Sequence, residues 1–263
     1  MIYNGNMFSF VYKNIDFAHK LDPASQPMED YSRHLHHFNE IIYFVKGDVE
    51  YTVESKTKIL KEGDIVVIPP VNYHFASVNS QAEYERYVLK FPTDILPAHL
   101  AEKIKTIGPF LTDQKKYAPI FRQMESYYGN YSDDDLVTLF ICELLKMLVY
   151  LCKEPTYSLI QSRGIIPQLV EYIDENIRAP ITLDMLADKF NFSKSYISNE
   201  FRKYMRIPIM QYVRAKKIMS AHQMILSGEK KHVVAEEFGF EEYSTFYRSY
   251  VKIMGFPPNG SDK

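Results

Sequence analysis

From about Met7 to Phe91 the hydrophobic positions come in short β-branched and aromatic runs broken by turn residues. Ile41 to Val45 is followed by Gly47-Asp48 and then Val49 to Val53, while Ile65 to Ile68 sits between Gly63-Asp64 and Pro69-Pro70. This spacing predicts strands of an all-β sandwich or barrel. From Asp94 onward the pattern turns helical, first in two modest segments around Ala98 to Ile107 and Pro119 to Tyr128. Asp133-Asp134-Asp135 then opens a stronger helix, with acids where the helix dipole favours them. In residues 136–152 only Thr138, Glu143 and Lys146 are not apolar, so 14 of 17 positions call for burial. A membrane span needs about 20 apolar residues, so the expectation is a helix buried on most sides. Leu136, Phe140, Leu144, Met147 and Leu151 form one stripe. That stripe covers either the barrel or a second copy of the chain, and the opposite side meets the other.

Glu154 to Gly164 reads as a linker, with Pro155 ending the helix and polar residues following. Everything after it has the periodicity of short helices. The expected organisation is α+β in two domains: residues 1–153 a β-barrel with helices, 154–164 a linker, and 165–263 all-α.

Composition agrees with a folded chain. Of 263 residues, 46% are hydrophobic, 24% charged and 14% aromatic, which excludes disordered, collagen-like and disulfide-scaffold classes. The first residues carry no basic segment followed by an apolar stretch and cleavage site. A cytoplasmic protein is therefore expected. Cys142 and Cys152 stand ten apart in one predicted helix, beyond disulfide reach, and are expected as reduced thiols in the core. The net charge of −2 divides unevenly: residues 1–164 carry 17 basic against 21 acidic side chains, residues 165–263 carry 14 against 12. The second part thus leans only slightly toward a polyanionic partner.

The first half holds one chemical constellation. His34, His36 and Glu40 share parity, so an extended strand turns all three to one face together with Phe38, Ile42 and Phe44. Residues 34–47 read H-x-H-x3-E-x6-G, and residues 63–74 read G-x5-P-x4-H, ending at His74. Three imidazoles and a carboxylate converging inside a barrel form a first shell for a divalent transition metal such as zinc, iron, manganese or nickel. Without metal, the same groups line a pocket for a small ligand. Tyr51 and Tyr73 are expected to share that pocket, and Tyr43 less so because its parity is opposite to that of His36. These stretches resemble both halves of the cupin signature, with departures at Val71, where cupins usually have Gly, and Val78, where they often have Asn.

The second half holds two helix-turn-helix patterns. Thr182 caps a short helix running to Phe190, Asn191-Phe192 turns, and Ser193 caps a second helix to about Tyr204 with Ile197 and Phe201 inward. Lys194, Ser195, Ser198, Asn199 and Arg202 face outward, where Asn can pair with adenine and Lys or Arg can neutralise phosphates. Ile209 to Leu226 forms one long helix, then Val233 to Phe240 and Glu242 to Lys252 repeat the pattern.

The run from Leu169 to Pro258 resembles the DNA-binding domain of the AraC family of bacterial transcription regulators. The matching residues are I-x-E-N at 173–176, T-L-x-x-L-A at 182–187, S-x-x-Y-I-S-x-x-F-R-K at 193–203, Ala221, A-x-x-F-G-F at 235–240, Arg248, Tyr250, and G-x-P-P at 255–258. The resemblance implies two recognition helices in successive major grooves. Carried over, the base-facing positions are Ser195, Ser198 and Asn199 in the first helix and Tyr243, Ser244, Tyr247 and Arg248 in the second. Arg206 replaces a usual Gly, Lys217 a usual Arg and Lys231 an aliphatic residue, and Asn259 to Lys263 replace the usual Tyr-Arg. Glu236, Glu237, Glu241 and Glu242 disfavour DNA near the second unit, so the first is expected to anchor binding.

The resemblance implies a homodimeric regulator that binds promoter DNA under control of a small-molecule effector, sugars being a common class. RNA polymerase is a further partner where such a regulator activates, and no membrane is involved. The effector-binding set is His34, His36, Glu40, Tyr51, Tyr73 and His74, and the metal set is His34, His36, Glu40 and His74. The regulator is expected not to be an enzyme. The rival reading is a metal-dependent cupin enzyme, an isomerase or dioxygenase, fused to a DNA-binding domain.

Overall fold

The computed structural model describes residues 6–23, 34–80, 82–153 and 164–258. The chain divides into two compact units, Met1–Ile160 and Gln161–Lys263. The predicted linker falls outside the described residues except for Gly164, and so do Asn259 to Lys263.

The first unit opens with β1 (Asn6–Tyr12), β2 (Ile15–Asp22), β3 (Asn39–Lys46), β4 (Val49–Val53), β5 (Lys56–Ile59), β6 (Ile65–Ile68), β7 (His74–Val78) and β8 (Tyr84–Phe91). It continues through α1 (Ala98–Ile104), β9 (Phe110–Leu111), α2 (Ala118–Tyr127) and α3 (Asp133–Leu151). Two antiparallel sheets form, one ordered β1-β2-β8-β3-β6-β9 and the other β5-β4-β7. This is the cupin-like arrangement expected from the first half.

The large sheet is covered on both faces, so β3 and β6 are buried along nearly their whole length. On one face Phe17, Ile41, Tyr43, Tyr87 and Leu89 pack beneath Phe121, Phe140, Leu144 and Met147 of the helices. On the other, Ile42, Phe44 and Val88 meet Tyr51 and Val53 of the small sheet. Tyr43 accordingly sits among helix-side rings, 5.0 Å from Phe121, and takes no part in the pocket.

Helix α3 begins at Ser132, whose hydroxyl accepts from the Asp135 amide. Leu136, Phe140, Leu144, Met147 and Leu151 are buried within this unit, but the helix is less enclosed than its composition predicts. Val149 and Tyr150 are 41% and 50% exposed. Cys142 is exposed and Cys152 half-buried, which corrects the expectation of two core thiols. Cys142 lies off the inward stripe, which occupies only one side of a 3.6-residue helix, while Cys152 at the helix end packs partly against the core.

The second unit consists of α4 (Ile165–Glu175), α5 (Leu183–Phe190), α6 (Lys194–Met205), α7 (Ile209–Leu226), α8 (Lys231–Glu237) and α9 (Tyr243–Met254). Among the described residues of both units, no helix is long and apolar enough to cross a membrane. Thr182 and Ser193 cap α5 and α6 as expected, accepting from the amides of Met185 and Tyr196. Arg206 ends α6 with φ of 57°, a left-handed conformation that explains why glycine suits this position.

Helix α7 lies at the centre of this unit. On one side Tyr212 meets Phe201 of α6, with ring centroids 5.2 Å apart, and on the other Ile218 and Ala221 pack with Val234, Phe238, Phe246 and Tyr250. Between them Lys217, only 8% exposed, donates from Nζ to the carbonyls of Ala179 at 2.8 Å and Phe238 at 2.7 Å. One ammonium therefore ties the approach to the first helix-turn-helix to the turn of the second. Hydrogen bonds to charged donors contribute about 1.5–3 kcal/mol. Lys217→Met should lower stability by about 2 kcal/mol in urea unfolding, and Lys217→Arg should lose much less. Equal stability of the Met variant would contradict this bridging role.

Candidate effector site and nucleic-acid interface

The strand pairing brings the first constellation together. His34 forms an isolated antiparallel bridge with His74, through His34 N to His74 O at 3.2 Å and His74 N to His34 O at 3.0 Å. This draws the segment before β3 onto β7 of the small sheet. The rings of His34 and His74 are 4.3 Å apart, and those of His36 and His74 4.7 Å. One ligand atom from each of His34, His36, Glu40 and His74 lies within 4.8 Å of all the others.

Hydrogen bonding orients two of the rings. Nδ1 of His36 faces the Phe38 carbonyl at 2.9 Å, and Nδ1 of His74 faces the Asn72 carbonyl at 2.9 Å. A carbonyl only accepts, so Nδ1 carries the hydrogen in both rings, and a neutral ring then presents a lone pair at Nε2. Those Nε2 atoms stand 2.9 Å and 3.3 Å from the same oxygen, Glu40 Oε2. Nε2 of His74 is buried without a hydrogen-bond partner among the described residues. Burial pulls the His36 imidazole down to about 4, against the opposing pull of Glu40. Burial also works to raise the Glu40 carboxyl, but its contacts with His36 and His74 outweigh that and hold it well below the usual carboxylate range. Two imidazole lone pairs and a carboxylate thus converge on one point, an arrangement that a cation satisfies. Carbonyl-anchored Nδ1, an orphaned Nε2 and a mixed imidazole–carboxylate donor set fit a divalent transition metal.

Beside this cluster lies a cavity of about 270 Å³ between the sheets. Of the predicted set, His34, Glu40 and Tyr51 line it, with Tyr51 parallel to the His74 ring at 6.3 Å and Nε2 of His36 2.9 Å from Glu40. Tyr73, like His36 and His74, is buried outside the cavity lining itself. The lining also includes Lys20, Ile42, Phe75, Arg86, Val88 and Lys90, most of which sequence reasoning missed. Their alternation in β8 was visible, but not which strands flank it.

In the second unit the predicted outward residues lie on the surface. Lys194, Ser195, Asn199 and Arg202 of α6 are exposed and Ser198 is half-buried, while Ile197, Phe201 and Met205 are fully buried. On α9, Tyr243, Ser244, Tyr247 and Arg248 are exposed, with Phe246 and Tyr250 inward. Lys194 pairs with Asp184 of α5, which holds the start of α6 to the preceding helix. Sequence reasoning did not identify the exposed Phe192 and Tyr196, whose rings stack 4.7 Å apart beside α6.

An AraC-like ligand binding domain model matches residues 23–149, and a helix-turn-helix domain model matches residues 186–261. The chain belongs to the AraC family of transcription regulators. This AraC-family chain has an N-terminal ligand-binding domain and a C-terminal helix-turn-helix DNA-binding domain. It is 24% identical to the HTH-type transcriptional regulator YdiP of Escherichia coli K12, over 90% of this chain and 82% of that protein. It is 28% identical to the putative HTH-type regulator YkgA of the same strain, over 40% of this chain and only 45% of that protein. It is 26% identical to the multiple antibiotic resistance protein MarA of Salmonella typhimurium LT2, over 36% of this chain and 75% of that protein.

The departure at Val71 has a structural cost. Val71 adopts φ of 66°, and its amide donates to the His36 carbonyl at 2.8 Å, so the strained turn fixes the backbone beside the cluster. A β-branched residue there costs about 1–2 kcal/mol relative to a relaxed conformation. Val71→Gly should therefore raise stability by about 1 kcal/mol in thermal or urea unfolding, and a loss of stability would contradict the reading.

Proposed function

We propose that this AraC-family regulator reads promoter DNA chiefly with Ser195, Ser198 and Asn199 of α6, with Lys194 and Arg202 on flanking phosphates. Tyr243, Ser244, Tyr247 and Arg248 of α9 make a second, weaker contact, because Glu236, Glu241 and Glu242 are exposed around its start. The observation that carries this reading is the sorting of α6. Its apolar residues are fully buried, and four of its five polar readers are exposed on one side.

The regulator works as a homodimer in the cytoplasm. Support comes from the outward side of α3, where Leu139, Cys142, Lys146 and Val149 recur at the alternating three and four residue spacing of a helix–helix seam. A second copy of the same helix fits such a stripe. A small-molecule effector occupies the cavity of the N-terminal unit and favours one arrangement of the two DNA-binding domains, since a ligand shifts an equilibrium only through unequal affinity for its states. His34, His36, Glu40 and His74 hold a divalent transition metal at the edge of that cavity, and the cluster serves sensing. When bound, the ion supplies a Lewis-acidic centre that an oxygen-bearing effector can coordinate.

Selection from random DNA followed by affinity measurement tests the DNA assignment. Asn199→Ala should cost about 1–3 kcal/mol on sequences carrying the preferred base at one position, and little elsewhere. Arg202→Ala should weaken binding evenly across sequences and reduce the salt slope by about one. Equal losses on every sequence for Asn199→Ala would contradict its role as a base reader.

A further inference from the structure

The inner face of the large sheet carries positive charge that the site described so far does not use. Lys20 on β2 and Arg86 and Lys90 on β8 all line the cavity. The register sets Lys20 directly opposite Arg86, and like charges facing each other across an antiparallel pair are destabilising. The acids that face these cations are Asp16 and Asp22 of β2 and Glu40 of β3. Arg86 donates to Asp22 at 2.5 Å and lies over the Tyr84 ring at 3.9 Å. Lys90 meets Asp16 only at 3.8 Å. Glu40 is engaged by His36 and His74.

Lys20 is left over. Its ammonium makes no hydrogen bond and has no carboxylate within ion-pair distance among the described residues. Burial is the chief influence drawing its pKa down, and Lys90 and Arg86 add to it. An unpaired, half-buried ammonium opposite a guanidinium weakens the fold unless something anionic completes it.

Resting on the reading of this cavity as the effector site, we propose that the effector is a small organic anion whose carboxylate or phosphate is held by Lys20 between Lys90 and Arg86. The rest of the molecule lies along Ile42, Phe75 and Val88. A cavity of about 270 Å³ is of the size that holds a small organic molecule. A neutral sugar leaves Lys20 unanswered.

The test is calorimetry and thermal shift on the full chain with matched probes: benzoate against benzyl alcohol, glucuronate against glucose, glycerol 3-phosphate against glycerol, and inorganic phosphate alone. At least one acid should bind ten times more tightly than its neutral partner or, for inorganic phosphate, bind measurably. Binding confined to the carboxylates or to the phosphates identifies the anionic group. Lys20→Met should weaken that acid at least tenfold while raising the melting temperature of the ligand-free protein, and Lys20→Arg should retain binding. Should Lys20→Met fail to fold, Lys90→Met should show the same selective loss. Neutral partners binding as tightly, no acid binding, or acid affinity that survives in the Met variants would overturn the proposal. Measuring affinity for selected DNA with and without each probe separates the two layers. Acid-selective binding that leaves DNA affinity unchanged supports the anion site and removes its role as effector site. A neutral probe that binds and changes DNA affinity keeps the effector site and overturns the anion.

Discussion

The two-residue alternation of β3 and β8, two strands covered on both faces, is the constraint on which the N-terminal unit depends. Ile41, Tyr43, Tyr87 and Leu89 enter the core beneath the helices, while Glu40, Ile42, Arg86, Val88 and Lys90 turn toward the small sheet. A one-residue slip in register would drive a carboxylate, a guanidinium and an ammonium into the apolar core under α2 and α3. Each unpaired ion there costs several kcal/mol. The register that makes the core is thus the register that makes the chamber, and the functional groups cannot drift without loss of the fold.

The C-terminal unit solves a different problem, since two small helix-turn-helix motifs each bury little surface alone. Helix α7 gives them a shared centre, and Lys217 supplies one buried donor to a carbonyl from each half. In both units the chain tolerates strain at positions where the resembled families prefer glycine. Val71 and Arg206 keep left-handed backbone angles of 66° and 57°, so the turn is dictated by its surroundings and not by the residue that occupies it. Beside the His–Glu cluster that surrounding is the hydrogen bond from Val71 to His36.

Much of this was legible in the sequence. Parity alone put Glu40, Ile42 and Phe44 on one face and Tyr43 on the other, and the caps at Thr182 and Ser193 set the starts of α5 and α6. The motif spacings joined His74 to His34 and His36 across 38 residues or more, which local periodicity could not have done. The cationic wall was illegible because it depends on β2 and β3 flanking β8, a pairing between strands distant in sequence. Strand β9, only two residues long, carries too short a signal to be read. The cysteines were misplaced because apolar composition overstates burial: a helix packed on one side leaves part of even an apolar surface open, as Val149 and Tyr150 show.

The proposed function requires that polar groups aimed into the N-terminal unit form a site built to be occupied. The cluster of His34, His36, Glu40 and His74 tests it most directly, since its lone pairs face one another across a buried carboxylate. Elemental analysis by mass spectrometry on untagged full-length protein, purified without added metal, is the decisive measurement. About one equivalent of a divalent transition metal per chain is expected, lost in the His36→Ala, His74→Ala double variant. Metal-free wild-type protein that also fails to take up zinc, iron, manganese or nickel on titration would contradict it.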